Sequence, residues 1–146
     1  MSELTALQTT LAAEHAAVYL SGVLGAQTST SEQPDLAAAL LGVYRAHRRR
    51  RDQLVALLVA RSAVPVAAEP AYELPGALTT TAELNDAALQ MERRIAVTYG
   101  QLIENTTGAE RRWALVALEN TAVVQLEFRG TPEMFPGSSA RELPGD

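Results

Sequence analysis

The chain has 146 residues, of which 47% are hydrophobic and 5% aromatic, and its net charge is −5. This length suits one domain with a sizeable core, and the few aromatic residues favour helices packed through small side chains over a sheet. The absence of cysteine excludes disulfides and thiolate metal sites. The acidic balance argues against nucleic acid or an anionic membrane as the main partner.

The N-terminal residues give an expectation about location. Met1-Ser2-Glu3-Leu4-Thr5 enters an amphipathic pattern at once, without the basic start and apolar run of a signal peptide. No stretch approaches the roughly 18 unbroken apolar residues of a membrane span. We therefore expect a cytoplasmic protein without a membrane partner.

Apolar periodicity and capping residues predict four helices, over about residues 3–24, 34–62, 81–105 and 108–129. Ser2 is suited to cap the first helix, and Pro34 fits the first turn of the second. Thr80 with Glu83 forms a capping box at the start of the third helix. These elements predict a helical domain over residues 1–130 and an irregular tail over residues 131–146.

The lengths of the connections predict the topology. The first and last connections are short, so each joins two antiparallel helices. Residues 63–79 contain three prolines and no helical period. Fully extended, this segment reaches roughly 50 Å, which exceeds the ~36 Å length of a 24-residue helix. One long crossover between two hairpins predicts an all-α, ferritin-like four-helix bundle, because a plain up-down-up-down bundle needs no such connection.

The second helix carries polar residues in its predicted inward stripe. That stripe consists of Leu40, Tyr44, His47, Arg51, Leu54 and Leu58. Four consecutive arginines, residues 48–51, cannot all face water, because successive residues step about 100° around a helix. We expect Arg51, together with Arg48, to point at neighbouring helices and to find carboxylate partners there.

The other helices supply candidate partners for these arginines. Glu14 lies in the apolar stripe of the first helix, with His15 on its flank. Glu92 and Tyr99 lie on the stripe adjoining the apolar face of the third helix. The fourth helix carries Glu119 on a face shared with Leu115, Leu118, Ala122 and Leu126, and it is apolar nearly all round.

Three phrases in the sequence resemble an uncharacterised, mostly actinobacterial, ferritin-like family. They are the stretch from Leu7 to Tyr19 with its Ala13-Glu14-His15, the stretch from Tyr44 to Asp52, and the ending Phe135-Pro136-Gly137. The resemblance covers nearly the whole chain and implies a ferritin-like bundle. It implies no activity, because the function of that family is unassigned.

Metal-bearing members of the wider ferritin-like class use one Glu from each of two helices and a Glu-x-x-His pair from each of the other two. Glu14 and Glu92 match the single glutamates. His47 matches one histidine, but Tyr44 stands where its glutamate belongs. Glu119 matches the other paired glutamate, but Ala122 replaces its histidine. The dinuclear site is therefore depleted.

Two hypotheses about function follow. The first is a non-catalytic bundle without a cofactor, in which the metal site is replaced by a buried polar belt formed by Glu14, His15, Tyr44, His47, Arg48, Arg51, Glu92, Tyr99 and Glu119. The alternative is an iron- or manganese-dependent oxidoreductase or iron-handling protein. Its mononuclear site would consist of Glu14, His47, Glu92 and Glu119, with His15 as an extra ligand.

The expected partners follow from the surface. Isologous dimers are the commonest oligomers, so we expect a homodimer through the fourth helix and part of the first. A small molecule or a protein is expected at the polar belt or beneath the crossover. The apolar Met134-Phe135-Pro136 is expected to dock the tail onto the bundle.

Overall fold

The computed structural model describes residues 1–129, which form four α-helices and no strand. They are α1 (Glu3–Ala26), α2 (Pro34–Ala60), α3 (Thr81–Glu104) and α4 (Gly108–Arg129). The prediction of an all-α four-helix bundle is confirmed. The predicted irregular tail and its docking through Met134-Phe135-Pro136 lie outside the described residues. Within residues 1–129 no helix combines the length and the apolar character that a membrane span requires.

The helix starts follow the predicted capping chemistry. The Ser2 hydroxyl accepts a hydrogen bond from the Thr5 amide at 3.1 Å. Thr80 accepts from the Glu83 amide, while the Glu83 carboxylate accepts from the Thr80 amide. These bonds satisfy amide groups that have no partner within their own helix.

The four helices pack unequally. α1 lies against α2 and α3, and α3 lies against α4. Large aliphatic residues of α1, α2 and α3 fill the core, among them Leu7, Leu11, Leu24, Leu40, Leu54, Leu58, Leu84, Ile95 and Leu102. The fully buried apolar residues of α4 are only Ala114 and Ala117. The apolar core is therefore held mainly by the first three helices.

The connection between α2 and α3 begins beside the N-terminal half of α1. The Gln8 side chain donates to the carbonyl of Val64 at 2.7 Å and accepts from the amide of Val66 at 2.8 Å. His15 Nε2 donates to the carbonyl of Val66 at 3.1 Å. These three hydrogen bonds pair backbone groups of a proline-rich segment that forms no helix and so cannot pair them internally.

The same connection then runs along α1 to the opposite end of the bundle. Tyr72 packs on Tyr19, with ring centres 5.4 Å apart. At the far end, the Gln33 side chain just before α2 donates to the hydroxyl of Thr81, the first residue of α3. The starts of α2 and α3 therefore lie together, and the two helices run parallel. The predicted crossover along the length of the bundle is confirmed.

Candidate functional site: a buried ionic cluster and an open groove

The buried face of α2 is partly polar. It consists of Leu40, Val43, His47, Arg50, Leu54 and Leu58, at spacings of three or four residues. His47 is fully buried, and Arg50 is 8% exposed. Two ionisable side chains therefore enter the interior from the middle of this helix.

His47 lies between two carboxylates from different helices. Its Nδ1 lies 2.7 Å from Glu14 Oε2 on α1, and its Nε2 lies 2.9 Å from Glu92 Oε1 on α3. All three residues are 0–1% exposed. The imidazole thus links α1, α2 and α3 at one point inside the bundle.

Both ring nitrogens of His47 act as donors in this arrangement. Burial disfavours the charged ring and would lower the pKa of His47, but the hydrogen bonds to Glu14 and Glu92 outweigh it and raise the pKa to about 9. His47 is therefore an imidazolium at neutral pH. Its positive charge is held between two acidic side chains, which is the arrangement that makes burial of a charge tolerable.

Tyr99 and Arg50 extend the cluster toward α4. The Tyr99 hydroxyl donates to Glu14 Oε1 at 2.7 Å. Burial, with the nearby charge of Glu14, raises the pKa of Tyr99 well above its ordinary value. The Arg50 guanidinium donates to Thr121 Oγ1 at 3.1 Å and to the carbonyl of Ala117 at 3.3 Å. We call Glu14, His47, Arg50, Glu92 and Tyr99 the ionic cluster.

The expectation that Arg48 and Arg51 point inward is wrong. Arg48 is exposed, with its guanidinium carbon 5.5 Å from the centre of the Tyr44 ring. Arg51 is half-buried and pairs with its neighbour Asp52 at 2.7 Å. Arg50 is the arginine that enters the interior. It is satisfied there by a hydroxyl, a carbonyl and an aromatic face, and not by the predicted carboxylate.

Tyr44 and His15 also lie apart from the ionic cluster. Tyr44 is half-buried and packs over Gly22 of α1, where a Cβ would meet its ring at 3.6 Å. That separation is an ordinary van der Waals contact, so an alanine at position 22 would also fit beside the tyrosine. His15 binds the crossover through Val66. Within residues 1–129, neither residue forms a hydrogen bond with Glu14 or Glu92.

The predicted inward face of α4 is wrong by about a quarter turn. Glu119 is exposed, and Leu115 and Leu126 on the same face are 42% and 36% exposed. The buried row is instead Ala114, Ala117, Thr121 and Gln125. This face lies inward because the carbonyl of Ala117 and the hydroxyl of Thr121 accept hydrogen bonds from the buried Arg50.

The donor set does not suit a metal ion of the kind that a ferritin-like fold implies. Both ring nitrogens of His47 lie within hydrogen-bond distance of a carboxylate, so a metal ion could bind this side chain only by displacing a proton and one of these contacts. Glu119, the third predicted carboxylate, lies on the outer face of α4. Among the described residues, no three His, Asp or Glu side chains form a cluster arranged to hold a metal ion.

Glu92 Oε2 and both polar atoms of the Gln125 side-chain amide are buried without a hydrogen-bond partner within residues 1–129. Glu92 and Gln125 are each 1% exposed. Unpaired groups at this depth cost stability.

An open groove separates α2 from α4. Its central cavity has a volume of about 540 Å³ and is lined by Ala46, Arg49, Arg50, Gln53, Trp113, Val116, Ala117, Asn120, Val123 and Val124. A neighbouring cavity of about 370 Å³ shares Gln53 and Trp113 and continues toward the start of α4. A third, of about 620 Å³, lies at the other end beside Leu36 and Phe128. We call this surface the α2–α4 groove.

Polar side chains bridge the groove where close helix packing is missing. Besides Arg50, the Trp113 indole donates to Gln53 Oε1 at 3.1 Å. Arg61 pairs with Glu110 at 2.7 Å and with Glu3 at 2.9 Å. Sequence reasoning missed these bridges, because it placed Arg51 and not Arg50 in the inward stripe of α2.

A separate concavity lies beneath the crossover, at the place predicted for a ligand. Its volume is about 390 Å³, and Tyr72, Arg94 and Thr98 are among its lining residues. Within the ionic cluster, Glu14, His47, Glu92 and Tyr99 are closed to solvent, whereas Arg50 also lines the α2–α4 groove. The accessible concave surfaces are thus separate from the ionisable residues that the sequence singled out.

Residues 6–140 match the model of a family described as a domain of unknown function, DUF4439. The chain belongs to this family. This DUF4439 chain is also similar to the crystal structure of a conserved hypothetical protein, rv2844, from Mycobacterium tuberculosis. The TM-score is 0.80 and the identity 28%, over 88% of this chain and 95% of that one. The search of curated proteins found no match to the sequence.

Proposed function

We propose that this DUF4439 chain is a non-catalytic, ferritin-like bundle in which the ionic cluster replaces a metal centre and the α2–α4 groove binds a protein partner. The observation that carries the proposal is the double donation of His47 to Glu14 and Glu92 in a sealed interior. These groups are closed to solvent, and a metal ion would have to displace a proton from His47 before it could bind there.

The ionic cluster serves to fix how the helices meet. Glu14, His47 and Glu92 come from α1, α2 and α3, and Tyr99 adds a second bond to Glu14. Sliding one helix by a turn would break at least one charged hydrogen bond and leave its partner buried. Buried polar groups are best attested in this role, as specifiers of register.

The α2–α4 groove supports the binding part of the proposal. Its lining combines an indole, several valines and two arginines. Aromatic and arginine side chains are the residue types enriched at protein interfaces. Val116 and Val123 at its rim are 55% and 62% exposed, so much apolar surface is uncovered in the single chain.

Elemental analysis of protein purified without chelator or affinity metal tests the first part of the proposal. We expect no stoichiometric transition metal and no rise in the melting temperature on adding Mn²⁺ or Fe²⁺. The rival hypothesis, an iron- or manganese-dependent oxidoreductase or iron-handling protein, is favoured by the convergence of Glu14, His47 and Glu92. About one metal per chain, lost in Glu14→Ala, would establish that rival.

A second copy of the chain is one candidate partner. Leu115, Val116, Val123 and Leu126 form an exposed apolar surface on α4, and surfaces of this kind mark interfaces. A homodimer through α4 is therefore proposed. Light scattering at micromolar concentration tests it: a dimer that Val116→Glu dissociates supports the proposal, and a monomer refutes it.

A further inference from the structure

We propose that the central cavity of the α2–α4 groove binds a small amphipathic carboxylic acid, with its carboxylate at Arg49 and Arg50 and its aliphatic tail along the valines of α4. The inference goes beyond the proposed function, because it assigns a small-molecule ligand to a cavity that forms only part of the surface proposed for a protein partner. It does not depend on a protein also binding the groove.

The lining of this cavity is positively charged, although the chain as a whole is acidic. The net charge of the chain is −5, yet the described residues that line the cavity include Arg49 and Arg50 and no aspartate or glutamate. The neighbouring cavities of the groove differ, because Glu110 lines one, and Asp35 and Glu127 line the other. Within the groove, the positive surface is thus confined to the central cavity, where it favours an anion.

Arg50 brings a buried cation with unused hydrogen-bond donors to the cavity. It is 8% exposed, and its bonds to Thr121 and Ala117 engage two of the five N–H groups that a guanidinium carries. Within residues 1–129 it forms no ion pair with a carboxylate. Its remaining donors are therefore available to an acceptor in the cavity, and the planar fork of a guanidinium matches the two oxygens of a carboxylate.

The formal charges around the cavity indicate a ligand with a single negative charge. In the ionic cluster, the two glutamates are balanced by His47 and Arg50. Arg49 is exposed and forms no ion pair within residues 1–129, so its charge is left unbalanced. A monocarboxylate would neutralise it, whereas a phosphate dianion would bring an excess negative charge next to a cluster whose own charges cancel.

The apolar part of the lining lies to one side of the arginines. α2 and α4 run in opposite directions, because Gln53 bonds to an earlier residue of α4 than Arg50 does. Ala46, one turn before Arg50, and Val124, near the end of α4, therefore line the same end of the cavity. Val123 beside them is 62% exposed. This end suits an aliphatic tail whose carboxylate stays at the arginines.

The size of the cavity and its remaining polar groups agree with this ligand class. Its volume of about 540 Å³ lies within the roughly 300–1,000 Å³ typical of small-molecule sites, which combine apolar walls with a few polar groups. The Gln53 oxygen accepts from the Trp113 indole at 3.1 Å, which leaves its amide N–H groups as donors. Trp113 is the single tryptophan of the chain, so its fluorescence reports on occupation of the cavity.

Calorimetric titration of the unaltered chain with octanoate tests the proposal, with Trp113 fluorescence as the second readout. Octanol and octylamine are the matched probes, since they keep the aliphatic tail but lack the carboxylate. We expect saturable octanoate binding that changes the indole emission, and binding of the other two that is weaker by about fivefold or more. Failure of octanoate to bind, or octylamine binding as tightly, would overturn the proposal.

Inorganic phosphate distinguishes a carboxylate site from a general anion site. We expect phosphate to bind more weakly than octanoate, because it cannot use the apolar end of the cavity. Equal affinities for phosphate and octanoate would overturn the assignment to an amphipathic carboxylic acid.

The variants Arg49→Gln and Arg45→Gln locate the carboxylate. Both arginines are exposed on α2, but of the two only Arg49 lines the cavity. We expect Arg49→Gln to weaken octanoate binding by about fivefold to tenfold without changing octanol binding, and Arg45→Gln to leave both unchanged. Equal octanoate affinity in Arg49→Gln and the unaltered chain would overturn the proposed site. Melting temperatures establish that both variants are folded, and the comparison of probes on the unaltered chain needs no variant.

The outcomes separate this inference from the proposed function. If octanoate does not bind and the protein is free of metal, the small-molecule site fails while the non-catalytic bundle stands. If metal is bound through Glu14, the proposed function fails, and the octanoate titration still decides the inference, because neither Arg49 nor Gln53 belongs to the ionic cluster.

Discussion

The guanidinium carbon of Arg50 lies 5.6 Å from the centre of the Tyr99 ring. The ring thus presents its face to a cation while its hydroxyl donates to the buried Glu14 of α1. Trp113 packs edge-on against the same ring, with centres 5.7 Å apart. Tyr99 therefore joins the sealed ionic cluster to the wall of the α2–α4 groove.

The stability of the protein should fall as the pH rises from 6.5 to about 9. The pKa of His47 is raised from 6.5 to about 9 in the folded chain. Its contribution is therefore complete below 6.5 and disappears as the pH passes 9. The full effect is on the order of 3 kcal/mol. Urea denaturation at several pH values measures it.

The matched variants for this measurement are His47→Gln and His15→Gln. The chain has two histidines and neither cysteine nor lysine, so few other groups titrate in this range. We expect His47→Gln to flatten the pH dependence and His15→Gln to retain it. The same slope in wild type and His47→Gln would show that His47 is not the titrating group.

Removing Arg50 should be costly. Arg50→Gln leaves the carbonyl of Ala117 and the hydroxyl of Thr121 without their donor and removes a positive charge beside the acidic groups of the cluster. We expect a loss of about 3 kcal/mol in the free energy of unfolding. The neighbouring Arg49→Gln, on the exposed side, should cost no more than about 0.5 kcal/mol. Equal losses in the two variants would contradict the inward placement of Arg50.

The Tyr99 hydroxyl should contribute measurably to stability. Tyr99→Phe keeps the ring but leaves Glu14 Oε1 buried without its donor, at a cost of about 1–3 kcal/mol. Tyr72→Phe is the control, because the Tyr72 hydroxyl accepts a hydrogen bond from the exposed Glu69 amide. Thermal unfolding compares the two, and a larger loss in Tyr72→Phe would refute the assignment.

Replacing Gln125 should stabilise the protein. Both polar atoms of its amide are buried without partners among residues 1–129. Methionine has a similar volume and removes the desolvation penalty, so Gln125→Met should gain about 1 kcal/mol. The exposed Gln101→Met on α3 should be neutral. A destabilised Gln125→Met would show that the amide has a partner beyond the described residues.

Much of this architecture could be predicted from the sequence. Capping by Ser2 and Thr80 and the length of the proline-rich connection lead directly to the helices and the crossover. The burial of Glu14, His47 and Glu92 also follows from their places in the apolar stripes. Such residues are informative because a charged side chain at an inward position has few alternative explanations.

The errors concern which face of α2 and of α4 is buried, because the sequence of one helix does not give the positions of its neighbours. Relative to Leu40 and Leu58, Arg51 lies nearer the centre of the predicted stripe than Arg50, by about 60° around the helix. The buried sector is shifted toward Arg50, because α2 faces α1 on one side and reaches α4 across a gap on the other. On α4, the prediction took an apolar face as the buried one. In the structure, leucines and valines of that helix are exposed, while Thr121 and Gln125 are buried.

The polar bridging of the α2–α4 groove has a consequence for motion. Detaching α4 from α2 exposes little aliphatic core, because α4 contributes mainly alanines and polar groups to the interior. The elements with the least buried apolar surface open most readily in native-state hydrogen exchange. The amides of α4 should therefore lose protection before those of α1. The bundle would then open locally between α2 and α4, while the other helix contacts remain in place.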